Sequence, residues 1–313
     1  MKIVFMGTPD FAVPAIEKLQ ASDHEIALVI TQPDRPSGRG RKVTPSPVKE
    51  MAQKLGLEVY QPEDVNTADS VQKIRAAMPD VIVVIAFGQI LRKNVLDMPA
   101  LGCINVHASL LPKYRGAAPI NRAIMDGETL TGITTMKMNA KLDEGDILLQ
   151  APVKIELHTT AGMLHDQLSI LGADLILGTL NKLESAEITP KVQDAGKSTY
   201  AKKIASAERG IDWTKDAAII DRQIRGLSPS PGAYTFFGDK RLLLLGSTST
   251  EESPPDESPG VIIAVKSDGF EVSCGSGKVT VLKIQPEGKK AMEAVDWCNG
   301  ARIDEGERFT PKF

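Results

Sequence analysis

Short apolar runs alternate with amphipathic segments through the first half of the chain, and this alternation constrains the fold more than any other feature. Apolar residues recur three or four positions apart between several runs, as at Phe11, Ala15 and Leu19, which is typical of helices that cover a parallel sheet. The pattern predicts an α/β fold with a Rossmann-like, doubly wound and mostly parallel sheet. The predicted strands are Lys2 to Met6, Ile26 to Ile30, Leu57 to Tyr60, Val81 to Ala86, Cys103 to His107, Ile133 to Met138 and Pro152 to Ile155.

A long amphipathic helix is predicted to follow these strands. Thr159 or Thr160 is available to cap its first turn. Its apolar residues share one face, and they are Met163, Leu164, Leu168, Leu171, Leu175 and Leu180. This helix is expected to close the first domain.

The periodicity fades after this helix into a polar stretch that we interpret as a connection between two domains. Beyond it, one helical segment near Lys215 to Leu227 precedes short β-rich runs separated by Gly, Pro and Asp. Such spacing favours a small barrel or sandwich over another parallel sheet. The runs are Ala233 to Phe237, Arg241 to Leu245, Gly260 to Ala264, Gly269 to Cys274 and Lys278 to Ile284, and Glu251 to Pro259 is expected to be a solvated loop.

Composition narrows the class of protein. A chain of 313 residues with 42% hydrophobic content is expected to form two globular domains. No apolar run approaches the roughly 20 residues of a membrane-spanning helix, and the N-terminus lacks a secretion signal, so we expect a cytoplasmic protein without a membrane partner. The 3 cysteines lack C-x-x-C spacing and are expected to be buried free thiols.

Three residues point to chemistry at the end of the predicted strand Cys103 to His107. Asn105 and His107 are two positions apart and therefore share a face of that strand, at the sheet edge where open α/β folds bind ligands. Asp143 follows in the segment Asp143-Glu144-Gly145-Asp146. An amide can stabilise an oxyanion, and an imidazole beside a carboxylate can transfer a proton near neutral pH. The set suits acyl transfer to a substrate that carries its own amine nucleophile.

Two of these residues also have a structural interpretation. His107 could be a hydrogen-bonded histidine at a strand end, and Asp143 could be a turn or helix-cap residue. No metal is expected, since His24, His158 and His165 are scattered without ligand spacing. The residues by themselves leave these alternatives open.

The chain resembles the 10-formyltetrahydrofolate-dependent formyltransferases, and the resemblance covers nearly its whole length. The resemblance is carried by Asn105, His107, Ser109-Leu110-Leu111-Pro112, Tyr114-Arg115-Gly116, Ala118-Pro119-Ile120, Thr131-Gly132-Ile133-Thr134 and Asp143-Glu144-Gly145-Asp146-Ile147. It implies that Asn105, His107 and Asp143 are the catalytic set. It also implies that 10-formyltetrahydrofolate is the formyl donor and that no metal takes part. The implied folate site contains Ser109, Leu110, Leu111, Pro112, Phe87, Gly88 and Ile90.

Two further regions are similar to the tRNA-specific members of this family. The segment Thr31 to Lys42 resembles an insertion loop that enters the tRNA acceptor stem, which implies tRNA contacts by Arg35, Arg39, Arg41 and Lys42. The C-terminal part resembles their oligonucleotide-binding-like barrel. The implied acceptor is the α-amine of methionyl initiator tRNA. Because the net charge is -3, tRNA binding must come from a local basic patch.

The resemblance sets the expected organisation of the chain. We expect a catalytic domain over residues 1–189, a linker over residues 190–206 and a tRNA-binding domain over residues 207–313, in a monomer. One alternative is a formyltransferase of the same fold acting on a small amine, such as an amino nucleotide sugar. A NAD-dependent oxidoreductase is disfavoured because Gly7 stands without a G-x-G-x-x-G motif. A non-catalytic RNA-binding protein would not need the catalytic set, and 4% aromatic residues give little base-stacking surface.

Overall fold

The computed structural model describes residues 1–37, 42–252 and 258–310, which form two compact units. Neither unit is continuous in sequence. The first unit contains residues 1–116, 131–153 and 165–200, and the second contains residues 117–130, 154–164 and the described residues from 201 onward.

The secondary structure follows in chain order. The strands are β1 (Lys2–Gly7), β2 (Glu25–Ile30), β3 (Arg35–Ser37), β4 (Lys42–Thr44), β5 (Val59–Tyr60), β6 (Val81–Ile85), β7 (Cys103–His107), β8 (Arg115–Gly116), β9 (Leu130–Lys137), β10 (Asp146–Lys154), β11 (Tyr200–Ala201), β12 (Ala233–Phe237), β13 (Lys240–Thr250), β14 (Ile262–Val265), β15 (Phe270–Ser273), β16 (Lys278–Pro286) and β17 (Met292–Glu293). The helices are α1 (Val13–Gln20), α2 (Pro47–Lys54), α3 (Ala68–Ala76), α4 (Lys93–Leu96), α5 (Pro119–Met125), α6 (Ala161–Glu184), α7 (Ala217–Leu227) and α8 (Ala294–Ala301). Short 3₁₀ turns cover Asp10–Ala12, Ala195–Lys197 and Ser206–Arg209.

The first unit is built on a sheet with the strand order β10-β9-β7-β6-β1-β2-β5. Strands β5, β2, β1, β6 and β7 are parallel to their neighbours in this order, whereas β9 is antiparallel to β7. Every residue of β6 is buried, which explains its unbroken apolar sequence, because a strand covered on both faces has no solvent side. The prediction of a doubly wound, mostly parallel sheet is confirmed.

Within the first unit, strand bounds differ from the sequence prediction mainly at β9 and β10. Strand β9 begins at Leu130 and not at Ile133, and β10 begins at Asp146 and not at Pro152. Strand β10 lies at the edge of the sheet, and most of its residues are partly exposed. Its first residues include the apolar run Ile147-Leu148-Leu149, which the predicted strand beginning at Pro152 left out.

Helix α6 confirms the predicted long helix, with one correction. The backbone N–H of Met163 donates to Oγ1 of Thr160 at 3.3 Å, so Thr160 caps the first turn. Leu164, Leu168 and Leu180 are fully buried, but Met163 is 59% exposed. The prediction that Met163 shares their face was wrong, because adjacent residues point about 100° apart around a helix.

The second unit contains an antiparallel sheet with the order β12-β13-β16-β15-β14, and β17 pairs with β16. The segment near the C-terminus closes this sheet. The N–H of Phe309 donates to the carbonyl of Gly260 at 2.9 Å, and the N–H of Thr310 donates to the carbonyl of Phe236 at 3.0 Å. The residues before β14 are thereby joined to β12, which gives the small barrel that the sequence predicted.

Aromatic packing fills the barrel. The rings of Trp213 and Phe309 stack with centroids 5.6 Å apart, and α7 buries Ile220, Ile224 and Leu227 in the same core. The sequence prediction missed helix α8, of which only Ala294 and Cys298 are fully buried while Trp297 is partly buried against the same core. Among the helices within the described ranges, none combines the length and apolar character needed to cross a bilayer.

Candidate active site at the end of strand β7

Strand β7 carries Asn105 and His107 to the carboxyl edge of the parallel sheet. It lies between β6 and β9, with Asn105 opposite Val84 and His107 opposite Thr134. The two side chains share a face because they are two residues apart. The carboxyl end of β6 leads into the segment that begins at Ala86. This is the crevice position that open α/β sheets use for ligands.

The imidazole of His107 is held between two oxygen atoms. Its Nε2 donates to the carbonyl of Tyr114 at 2.9 Å, because a carbonyl can only accept. Its Nδ1 lies 3.7 Å from Oδ2 of Asp143. That distance suits an electrostatic interaction but exceeds a hydrogen bond. The ring is 6% exposed, so its orientation is set by these contacts and not by solvent.

Asp143 lies in a turn between β9 and β10, with φ of +52°. This left-handed conformation is one that aspartate tolerates better than most residues. The Oδ2 atom of Asp143 accepts the backbone N–H of Gly116 at 2.8 Å. The turn interpretation and the functional one are therefore compatible, since the turn aims the carboxylate at His107.

The amide of Asn105 is available to a ligand. The residue is partly exposed at the sheet edge. Within the described residues, no group forms a hydrogen bond with this side chain. An amide donor of this kind can bind an oxygen that gains negative charge.

Two residues outside the predicted site hold the Asp143 turn in place. Gln193 donates through Nε2 to the carbonyl of Asp143 at 2.8 Å and to the carbonyl of Gly145 at 2.7 Å. Its Oε1 accepts from Nε and Nη2 of Arg115 at 3.1 and 2.8 Å. The Nη1 atom of Arg115 lies 3.3 Å from Oε1 of Glu144. Sequence reasoning placed Gln193 in a linker and gave Arg115 no role, since polar residues in an irregular segment carry no periodic signal.

The Ser109 to Pro112 turn is organised by hydroxyl groups. Thr134 Oγ1 donates to the carbonyl of Ser109 at 2.7 Å and accepts the N–H of Leu111 at 3.0 Å. Ser109 is fully buried and donates to the carbonyl of Lys113 at 2.6 Å, whereas Leu110 and Pro112 are partly exposed. Ser109 and Leu111 therefore shape the turn, and Leu110 and Pro112 form its accessible surface.

The segment after β6 joins the loops that follow β1 and β2. The carbonyl of Phe87 accepts from Oγ1 of Thr8 at 2.9 Å and from Nε2 of Gln32 at 3.2 Å. The ring of Phe87 packs in the core, whereas Gly88 is exposed with φ of +88° and Ile90 is 81% exposed. Any ligand contact by Phe87 is thus limited to its backbone, and Gly88 and Ile90 have accessible surface.

Strands β3 and β4, which flank residues 38–41 of the basic segment, pair antiparallel with Arg35 opposite Thr44, and they are called the basic hairpin. Its base is anchored by Asp34, which accepts from Nζ of Lys49 at 2.5 Å and from Nε2 of Gln61 at 2.7 Å. The hydrogen bond from Lys49 lowers the pKa of Asp34 below its ordinary value. Arg35 is exposed. Arg39 and Arg41 lie outside the described residues, as does the side chain of Lys42.

The cysteine thiols give no sign of reactivity. The three cysteines are free and buried, as expected, and burial raises the pKa of the Cys103 thiol to about 12. Over residues 1–37, 42–252 and 258–310, no three His, Cys, Asp or Glu side chains are grouped to hold a metal. A reaction without a metal stays a prediction.

Comparison with known proteins identifies the family. Residues 1–180 match the formyl transferase family, and residues 203–302 match the formyl transferase C-terminal domain. The chain is 47% identical to a methionyl-tRNA formyltransferase of Moorella thermoacetica, over 98% of both proteins. It is 46% identical to one of Roseobacter denitrificans, over 100% of both. The chain belongs to the methionyl-tRNA formyltransferase family.

Membership of the methionyl-tRNA formyltransferase family confirms the resemblance drawn from the sequence motifs. The match to relatives over their full length includes the C-terminal barrel as well as the parallel sheet. A solved N-formyltransferase from Helicobacter canadensis, in complex with folinic acid and dTDP-3-aminofucose, superposes with a TM-score of 0.68 over 90% of this chain and 99% of that one. At 18% identity, this likeness concerns the fold alone.

Proposed function

We propose that this protein transfers the formyl group of 10-formyltetrahydrofolate to the α-amine of methionyl initiator tRNA, giving formylmethionyl-tRNA. The observation that carries the proposal is the placement of Asn105, His107 and Asp143 together at the carboxyl edge of the sheet. Family membership agrees with it, because relatives of matching length are methionyl-tRNA formyltransferases.

The reaction requires an oxygen to be stabilised and a proton to be moved. The amine nitrogen attacks the formyl carbon, and the bond from that carbon to the folate nitrogen breaks. The amide of Asn105 donates to the oxygen of the tetrahedral intermediate. The Nε2 atom of His107 donates to the carbonyl of Tyr114, so Nδ1 is the ring nitrogen left to exchange a proton with the reacting groups. The amine loses a proton and the folate nitrogen gains one, with His107 and a water as carriers.

Asp143 supports this proton transfer electrostatically. Its carboxylate is 3.7 Å from Nδ1 of His107, so it stabilises positive charge that develops on the ring. The hydrogen bond from Gly116 N–H keeps the carboxylate there while the ring changes its charge. The protein thus needs no nucleophile of its own. It positions the two substrates and stabilises the charges that develop on the intermediate oxygen and on His107.

The folate donor is assigned to the crevice beside β6 and β7. The proposed contacts come from Leu110 and Pro112, from Gly88 and Ile90, and from the backbone of Phe87. Ser109 and Leu111 act through the shape of the turn that they stabilise. The exposed apolar surface of Ile90 suits one face of a flat pterin ring.

The acceptor tRNA is assigned to the basic hairpin and the C-terminal barrel. Arg35, Arg39, Arg41 and Lys42 would contact the acceptor stem, and we retain the domain bounds 1–189, 190–206 and 207–313 as part of this proposal. A firmly anchored hairpin base supports the role, since Asp34 is held by Lys49 and Gln61. A monomer in the cytoplasm, where initiator tRNA is found, is the proposed working state.

The test is transfer of a labelled formyl group from 10-formyltetrahydrofolate to three acceptors in parallel. These are methionyl initiator tRNA, glycinamide ribonucleotide and an amino nucleotide sugar. Formylation of the tRNA alone is the expected result, and His107→Ala should abolish it. Transfer to a small amine alone would keep the catalytic assignment and overturn the tRNA assignment.

A further inference from the structure

The segment between residues 190 and 197 places one buried amide against the turn that carries Asp143. Gln193 is 8% exposed, and its Nε2 donates to two backbone carbonyls of that turn, those of Asp143 and Gly145. The same segment is joined to the start of β10, since the backbones of Ile147 and Lys191 exchange hydrogen bonds of 2.8 Å. A stretch of polar sequence is thus packed against the candidate active site.

Arg115 fixes which way the Gln193 amide points. An arginine has only donors, so its Nε and Nη2 can be satisfied only by the oxygen end of the amide. The nitrogen end must then face the turn, where two carbonyls accept from it. Arg115 is 3% exposed, and its remaining interaction with Glu144 holds the residue after Asp143.

The turn itself needs external support. Asp143 adopts φ of +52°, which costs backbone free energy for a residue with a side chain. Gly145 passes so close to β9 that a Cβ atom would lie 1.8 Å from the carbonyl oxygen of Lys137. Strand β9 therefore confines the turn on one side, and Gln193 holds it through hydrogen bonds to two of its carbonyls. We call these hydrogen bonds, together with those from Arg115 to Gln193, the clamp.

We propose that Gln193 and Arg115 are positioning residues for the formyl transfer, acting by holding the Asp143 turn so that its carboxylate stays beside His107. This inference rests on the proposed function, because it assigns no contact with substrate to either residue. Release of the clamp would let the Asp143 carboxylate move away from Nδ1 of His107 and from the N–H of Gly116. A shift of about 1 Å in such a group can lower turnover by about 10²-fold.

Two substitutions at one position separate positioning from simple packing. Gln193→Ala removes both the acceptor for Arg115 and the donor to the carbonyls of Asp143 and Gly145. Gln193→Glu keeps an acceptor for Arg115 and a side chain of the same shape, but it places a second oxygen against the carbonyls of Asp143 and Gly145. Positioning predicts that both variants lose kcat by about 10²-fold, with little change in KM for the donor or the tRNA. A role limited to accepting the hydrogen bonds of Arg115 predicts that Gln193→Glu has normal kcat.

The matched control is Val192→Ala, since Val192 is the preceding residue and is 84% exposed. Its kcat should equal that of the unsubstituted protein. Thermal unfolding of all variants, with assays run well below each midpoint, separates loss of fold from loss of positioning. Normal kcat in both Gln193 variants would overturn the proposal.

A second measurement, amide hydrogen exchange, tests the position of the Asp143 carboxylate without the formyl transfer reaction. The amide of Gly116 donates to the carboxylate of Asp143, so its hydrogen exchange reports where that carboxylate lies. Both Gln193 variants should lose protection at Gly116, whereas Val192→Ala should keep it. Unchanged protection would overturn the clamp even if activity fell. If the unsubstituted protein fails to formylate tRNA, the proposed function fails while this exchange result still decides the clamp.

Discussion

The carboxylate of Asp143 lies 3.7 Å from Nδ1 of His107, yet its hydrogen bond of 2.8 Å is to the backbone N–H of Gly116. The carboxylate is therefore held by the backbone and not by the ring that it faces. A histidine that takes up and releases a proton can then change its charge without displacing its partner. The preorganised carboxylate costs no rearrangement during the reaction.

The charge of Asp143 can be removed with little change of shape. In Asp143→Asn, the amide oxygen can still accept from Gly116, so the turn should keep its conformation. We expect kcat to fall by about 10²–10⁴-fold, the usual size of a proton-transfer contribution, with a nearly unchanged unfolding midpoint. Single-turnover formylation and thermal unfolding measure the two effects. Normal turnover in this variant would contradict the electrostatic role.

Asn105 offers a test of oxyanion stabilisation. Since its side chain has no hydrogen-bond partner within the described residues, Asn105→Ala should leave the free energy of unfolding almost unchanged. We expect kcat to fall by about 10²–10³-fold, as when one oxyanion donor is removed. Steady-state kinetics and denaturant unfolding together check this. A variant that loses stability while it retains kcat would show that the amide is structural.

The candidate site divides into a part that the sequence predicted and a part that it could not. Asn105 and His107 were predictable because strand periodicity alone puts them on one face of β7. Asp143 was a candidate from the order of the motifs, but its turn interpretation stayed open until the family resemblance implied a catalytic role, since a turn residue has no periodic signal. Gln193 could not be predicted, because its role depends on a contact between residues 50 positions apart in an irregular segment.

The fold shows the same division. Strand β6 was predicted almost to the residue because its burial on both faces demands a continuous apolar run. The start of β10 and the short helix α8 were missed. Strand β10 lies at the sheet edge with few buried residues, and α8 spans only about two turns with Ala294 and Cys298 as its fully buried residues. The start of β10 and the formation of α8 therefore depend on tertiary contacts more than on the local sequence pattern.

Arg39 allows a test of the basic hairpin. Arg39→Ala should lower kcat/KM for the tRNA while KM for the folate donor stays unchanged, because the residue is assigned to the acceptor stem. The dependence of log affinity on log salt concentration should weaken by about one unit if one phosphate contact is lost. Arg75→Ala, at an exposed position on α3, is the control. Equal effects of the two substitutions would contradict a specific role of the hairpin.

The second unit should lose stability in acid through Glu208. Its carboxylate accepts from Nη1 and Nη2 of Arg122 at 2.6 and 3.0 Å, and these hydrogen bonds hold the pKa of Glu208 below its ordinary value of 4.5. A lowered folded-state pKa contributes stability above pH 4.5 that is lost as the pH falls through the folded pKa. Unfolding midpoints between neutral pH and pH 3 should therefore fall less steeply in Glu208→Gln. Parallel curves for the two proteins would contradict this ion pair.

Two glycines give opposite predictions for the same substitution. In Gly145→Ala, the new Cβ would lie 1.8 Å from the carbonyl oxygen of Lys137, so the Asp143 turn must shift. We expect the free energy of unfolding to fall by about 1–3 kcal/mol, with a loss of kcat beyond what the lower stability explains. In Gly178→Ala, on α6, the Cβ meets no atom within 4 Å. Because alanine lowers the backbone entropy of the unfolded chain, the free energy of unfolding should rise by about 0.5–1 kcal/mol, and kcat should stay normal. Denaturant unfolding and formylation assays compare the two, and a Gly145→Ala variant with normal stability and kcat would show that the turn is not confined by β9.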